Sequence, residues 1–164
     1  MDHYSVIPNE HAGDRLAAIM GKYAATYDGD LFTAMARLAG SQYPHGLWEL
    51  REFSNGALAM VLTSQEQVVI PNYSDLCDET LGLEAASLVA NCIVLSSYCM
   101  KAFEAGDESA NERFHDLYHA LRHAIAGVMN FRIADTGITE PTEEDLQLPR
   151  AKHPESEVIN RLLN

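Results

Sequence analysis

The chain has 164 residues, 47% of them apolar, so one domain spanning residues 1–164 can bury its own core without metals or disulfides. Its 24 Asp and Glu against 11 Lys and Arg leave a formal charge of -13, which repels a phosphate backbone and argues against direct nucleic-acid binding. The same charge suits a partner that itself handles nucleic acid and so presents a basic surface.

After a short polar lead ending in Pro8-Asn9, Leu16, Ile19, Met20 and Tyr23 recur at three- and four-residue spacing and predict a helix over 11–25. Asp28-Gly29-Asp30 breaks that pattern and offers a cap to a second helix over 31–39, which Gly40 stops. Past residue 46 the period falls to two. Trp48, Leu50 and Glu52 alternate with Glu49, Arg51 and Phe53, Ser54-Asn55-Gly56 supplies residues that tolerate positive φ, and an apolar run over 57–62 follows. That is the pattern of a β-hairpin over 48–62. A third strand over 67–70, stopped by Pro71, is expected to continue the meander as an edge strand.

A long helix is predicted over about 81–103. Placing residues 100° apart gathers Glu84, Ser87, Asn91 and Tyr98 in a stripe about 60° wide and leaves apolar residues over most of the remaining surface. Polar residues interrupt it and no charged flank anchors it, so it is expected at the centre of a soluble fold, not in a bilayer. Gly106-Asp107 leads into an amphipathic helix over 108–131, with Phe114, Leu117, Leu121 and Ile125 on one arc. The stretch 135–149, with Gly137, two prolines and the run Glu143-Glu144-Asp145, reads as a solvated loop. His153-Pro154-Glu155 then opens a short C-terminal helix. The fold class that follows is α+β: a small antiparallel meander of about three strands packed with about five helices, one of them largely buried.

The three cysteines are an odd count, and the first residues lack the basic-then-apolar order of a secretory signal, so a reducing cytoplasm is the expected compartment. Cys92 and Cys99, seven apart on one helix, stand about 10 Å from each other, too far for a bridge. Like charge from Asp78 and Glu79 disfavours a reactive Cys77 thiolate. His115, His119 and His123 recur every four residues beside Glu112 and Asp116. Histidines at that spacing can share a zinc ion, and a metal-dependent hydrolase using His115, His119 and Asp116 is the enzyme alternative. However, no Glu follows His115 to complete a His-Glu-x-x-His pattern, and the histidines fall opposite the apolar arc, where solvated residues belong. Acids concentrate in the middle of the chain: residues 61–131 hold 10 acids and 3 bases. That density is lower than a surface imitating DNA phosphates requires.

Several segments in order resemble the antirestriction proteins of the ArdB/KlcA type. They are Val6-Ile7-Pro8, Arg15 through Gly21, Tyr43-Pro44-His45-Gly46-Leu47-Trp48-Glu49 leading into Ser54-Asn55-Gly56, Val69-Ile70-Pro71-Asn72 before the buried helix, 115–124, and His153-Pro154-Glu155-Ser156. The family carries a Tyr-x-Gly-Gly-aromatic-Trp stretch and a Leu-Ser-Asn-Gly-Gly hairpin. Here Pro44-His45 alters the first, and Phe53 and Ala57 alter the second. The resemblance implies a protein of plasmids or other mobile elements that relieves restriction, mainly by type I restriction-modification systems, with no catalytic residues, no cofactor and no metal. The partner expected is a protein, with restriction-modification subunits the first candidates. Trp48, Arg51 and Asn55 on the hairpin and Glu112 and Asp116 on the acidic helix are the candidate contact residues. A binding module of the same fold with another protein partner is the remaining alternative.

Overall fold

Two glycines with positive φ set the boundaries of the N-terminal helices. In a computed structural model, which describes residues 4–43, 46–135 and 137–164, strand β1 (Tyr4–Ile7) leads into helix α1 (Asn9–Met20). Gly21, at φ 59°, ends α1 and opens a 3-10 turn, and α2 (Ala24–Ala39) then runs unbroken to Gly40 at φ 57°. The break expected at Asp28-Gly29-Asp30 is absent. Tyr27, Leu31 and Met35 are buried along one face of α2, and that burial carries the helix through three residues that would cap it in isolation.

The hairpin forms as expected: β2 (Trp48–Phe53) and β3 (Leu58–Leu62) pair antiparallel around a turn closed by the Gly56 N–H on the Phe53 carbonyl, with Gly56 at φ 83°. The third strand of this sheet is β1, which pairs with β2 from Tyr4 opposite Phe53 to Ile7 opposite Leu50. The strand beginning at Gln67 does not join it. Instead β4 (Gln67–Asn72) pairs with β5 (Cys77–Gly82) in a separate two-stranded sheet, and a third small sheet joins β6 (Arg132–Ala134) to β7 (Gly137–Thr139). The class is α+β.

Helix α3 (Leu83–Glu104) is the centre of the core. It is long and apolar enough to cross a bilayer, yet most of it is buried inside the fold. Each fully buried Leu or Val on it contributes about 1.5–3 kcal/mol of burial free energy. Two residues of its polar stripe, Ser87 and Asn91, face β3. The Asn91 side chain accepts from the Met60 N–H (3.1 Å) and the Tyr27 hydroxyl (2.6 Å), and donates to the Met60 and Ser87 carbonyls (2.7 Å each). Ser87 accepts from the Leu62 N–H. One carboxamide thus stands where another strand would, because it carries the same donor and acceptor as a peptide group. Gln42 repeats the device on β4, accepting from the Val69 N–H and donating to the Val69 carbonyl, 3.0 Å each.

Helix α4 (Glu108–Ala126) packs on α3, starts at an Asp107 cap and ends at Gly127, φ 72°, earlier than expected. A Cβ at Gly127 would lie 2.6 Å from the Lys152 nitrogen, so the C-terminal segment requires glycine there. The acidic run expected to be loop forms the first turn of α5 (Glu143–Gln147): Thr142 and Asp145 close a capping box, and Asp145 is buried against Arg132. Helix α6 (Ser156–Leu163) follows the His153-Pro154-Glu155 turn.

Candidate interaction surface

The hairpin candidates are set into the fold to different depths. Asn55 is 2% exposed; its side chain donates to the Ala120 carbonyl on α4 (2.7 Å) and accepts from the Ala57 N–H, while its own carbonyl takes the Ile133 N–H of β6. Arg51 is 3% exposed and lies over the Tyr4 ring, with Nε 2.6 Å from Glu49 and Nη1 3.1 Å from Glu84. Both side chains join elements and are turned away from solvent. Trp48 is half-buried, with Phe32 and Tyr43 around its ring, whereas Phe53 is core, edge-on to Tyr4. Pro44 and His45, which alter the family stretch, lie outside the described residues.

Arg51 belongs to a buried network at the start of α3. His153 Nδ1 accepts from the Glu155 N–H, so the ring proton sits on Nε2, 3.4 Å from Glu84 Oε1. Glu155 in turn accepts from the Gly82 N–H with both oxygens at 3.1 Å, capping α3 from the far end of the chain. The His153 hydrogen bond holds the Glu84 carboxyl down to about 2, Arg51 adds to it, and partial burial opposes it. A carboxyl lowered on folding stabilises the protein fully above its ordinary value near 4.5, and that contribution is lost as pH falls towards 2. A depression of this size corresponds to about 3 kcal/mol. With 38% of the side chain exposed, screening reduces this to about 1–2 kcal/mol. Glu84→Gln should therefore narrow the gap in urea midpoint between pH 6 and pH 3 relative to wild type. An unchanged gap would assign the acid sensitivity to other carboxylates, such as Glu79 beside Arg161.

Glu112 and Asp116 stand one turn apart on α4; Glu112 is exposed, whereas the Asp116 side chain is only 13% exposed. They form one rim of an open cleft of about 780 Å³ whose other walls are the end of α1 and the β6–β7 turn. Arg113 braces those walls, with Nε on the Ile19 carbonyl and Nη1 on the Ala134 carbonyl. Asp107 and Asp135 add carboxylates, Lys22 pairs with Asp107, and Ile138 is an exposed apolar side chain at the lip. The sequence offered Glu112 and Asp116. It did not offer the cleft, because the β6–β7 wall was read as part of a loop.

The histidine stripe continues that face. The His115 and His119 rings are 4.4 Å apart, and His115 Nδ1 lies 3.3 Å from Asp116. Burial lowers His119, with the neighbouring His115 and His123 adding to it, and burial lowers His123, which packs on Phe131. Among the described residues no three His, Cys, Asp or Glu side chains converge as a metal site requires. Burial pushes the Cys92 thiol up to about 12 and raises Cys99, which disfavours the thiolate at both, and Cys77 is exposed.

Among the described residues, seven of the eleven Lys and Arg side chains lie within ion-pair distance of a carboxylate. Helix α4 itself carries three acids against two arginines, so the surplus of negative charge is spread over many elements and not concentrated there. Such a surface suits a basic protein partner and repels a nucleic acid.

Among solved structures, one described as showing that KlcA and ArdB have a novel fold, and antirestriction activity against Type I DNA restriction systems in vivo but not in vitro, superposes with a TM-score of 0.70. That match covers 98% of this chain and 94% of the other at 22% identity, and so speaks to fold. No curated protein matches the chain. The family model described as Antirestriction protein matches residues 41–135, more than half of the chain, including the hairpin and both long helices, and the chain belongs to the antirestriction protein family.

Proposed function

We propose that this protein relieves DNA restriction by type I restriction-modification systems in the cytoplasm and so protects incoming plasmid or mobile-element DNA. It acts without a catalytic step, through contacts with a protein partner, the restriction-modification subunits being the first candidates. The family match over residues 41–135 carries this reading. The acidic rim of Glu112 and Asp116 supports a protein partner over direct binding of DNA. Trp48, half-exposed at the start of β2, is a second contact candidate, while Arg51 and Asn55 act from inside by fixing the hairpin to α3 and α4.

The solved relatives are described as active in vivo but not in vitro, so the test belongs in cells. Unmodified phage is plated on strains carrying single type I systems, with and without the gene. Plating efficiency should rise by an order of magnitude or more in at least one strain. Glu112→Lys, at the exposed rim of the cleft, should reduce that gain while leaving the thermal midpoint within a few degrees. Unchanged restriction in every strain sinks the reading.

A further inference from the structure

We infer that the tip of the β4–β5 hairpin is a docking knob for an apolar pocket with a basic rim on a partner protein, a reading that rests on the proposed function for its biological setting. Leu76 is 90% exposed and Tyr73 84%, large apolar side chains held out from the fold by a turn between two strands. Leu76 sits at φ 54°, the one positive-φ residue other than glycine among those described. A turn that only reverses the chain takes Gly or Asn at such a position without strain. Strain on an exposed leucine marks a site where the side chain itself is needed.

The tip is also braced. Asn72, 5% exposed, accepts from the Ser74 and Asp75 N–H groups and donates to Asp75 Oδ2 and to the Arg161 carbonyl of α6. Arg161 in turn grips Glu79 with two hydrogen bonds, 2.7 and 3.1 Å. Tyr73 and Leu76 flank a hollow of about 300 Å³ that also takes in Asp78. The hairpin holds Asp75, Asp78 and Glu79 and no Lys or Arg, and the nearby Arg161 is spent on Glu79. Two braced apolar anchors beside the carboxylates of Asp75 and Asp78, with no cation of their own, fit an apolar pocket edged with cations, the surface of a protein that handles nucleic acid.

The test places a photo-crosslinking benzophenone residue at 73, and as a control at Phe103, also exposed, in cells. A specific adduct is expected from 73 with a nucleic-acid-handling protein, absent from 103, and at least severalfold weaker with Asp78→Lys. No adduct, an equal adduct from 103, an adduct between two copies, or indifference to Asp78→Lys overturns the proposal, whatever the phage result. In the plating strains, Tyr73→Ser with Leu76→Gly should melt no lower than wild type and lose an order of magnitude of restriction relief. A wild type that relieves no restriction counts against the proposed function alone, because the adduct decides the tip. Full relief by the folded double variant counts against the tip alone.

Discussion

Asn91→Ala is expected to lower the unfolding free energy by about 3–5 kcal/mol, a large share of what a domain of this size has. The substitution strands the Met60 N–H and carbonyl and the Tyr27 hydroxyl, in a region where Asn91 itself is fully buried, while the Ser87 carbonyl keeps its helical bond. Several unsatisfied buried groups cost about 1–3 kcal/mol each, and the cavity adds to that, so this effect exceeds the loss of any one exposed ion pair. Tyr27→Phe removes one of those bonds and should cost about 1 kcal/mol. The double variant should cost less than the sum, because the two residues share a bond. Urea unfolding measures all three. A loss below about 1 kcal/mol for Asn91→Ala would show that water replaces the carboxamide on the β3 edge.

Gly56→Ala should be the most damaging single-methyl substitution in the hairpin, at about 3–4 kcal/mol. Its φ of 83° already disfavours a side chain, and the new Cβ would stand 2.6 Å from the Ile133 oxygen and 3.0 Å from the Ile133 Cβ. Backbone of β6 is there, and it cannot step aside as a flexible side chain can. Gly21→Ala is the control: φ is 59° and ψ -136° but the space around it is open, so only the conformational cost of about 1–3 kcal/mol applies. The difference between the two variants in chemical denaturation measures how firmly β6 holds the turn. Equal losses would show that the brace yields.

The sequence was most informative where structure is decided locally. Asn55-Gly56 announced the turn because positive φ is a property of the residues, and the apolar circumference of α3 announced its burial because helical periodicity is intrinsic. It was least informative where a distant partner decides. Tyr4–Ile7 is too short to read as a strand until Leu50 to Phe53 lies beside it. Cys77–Gly82 is too polar until Glu79 finds Arg161, 82 residues away. Asp28-Gly29-Asp30 has every local mark of a helix start, yet burial of Tyr27 and Leu31 outweighs it. The contact candidates divide along the same line. Arg51 and Asn55 are polar residues on a hairpin and so read as surface; their partners, Glu84 and the Ala120 carbonyl, lie 33 and 65 positions on. Glu112 carried a simpler signal, the solvent side of an amphipathic helix, and it is exposed, while Asp116 on the same side is set into the cleft wall beside His115.

The clasp of His153 and Glu155 on the first turn of α3 has a consequence in time. Gly82 and Glu155 are 73 positions apart, so a ribosome finishes the central helix well before it makes the residue that caps it. From Glu104 onward about fifty more residues must be added, a wait of roughly 3–10 s at 5–20 residues per second. During that wait Arg51 and Glu84 can already meet, both being made, while the Gly82 N–H remains open to water. The fold is thus locked by a late-arriving segment, and a nascent chain stalled short of residue 153 holds its most apolar helix without the clasp that seats it.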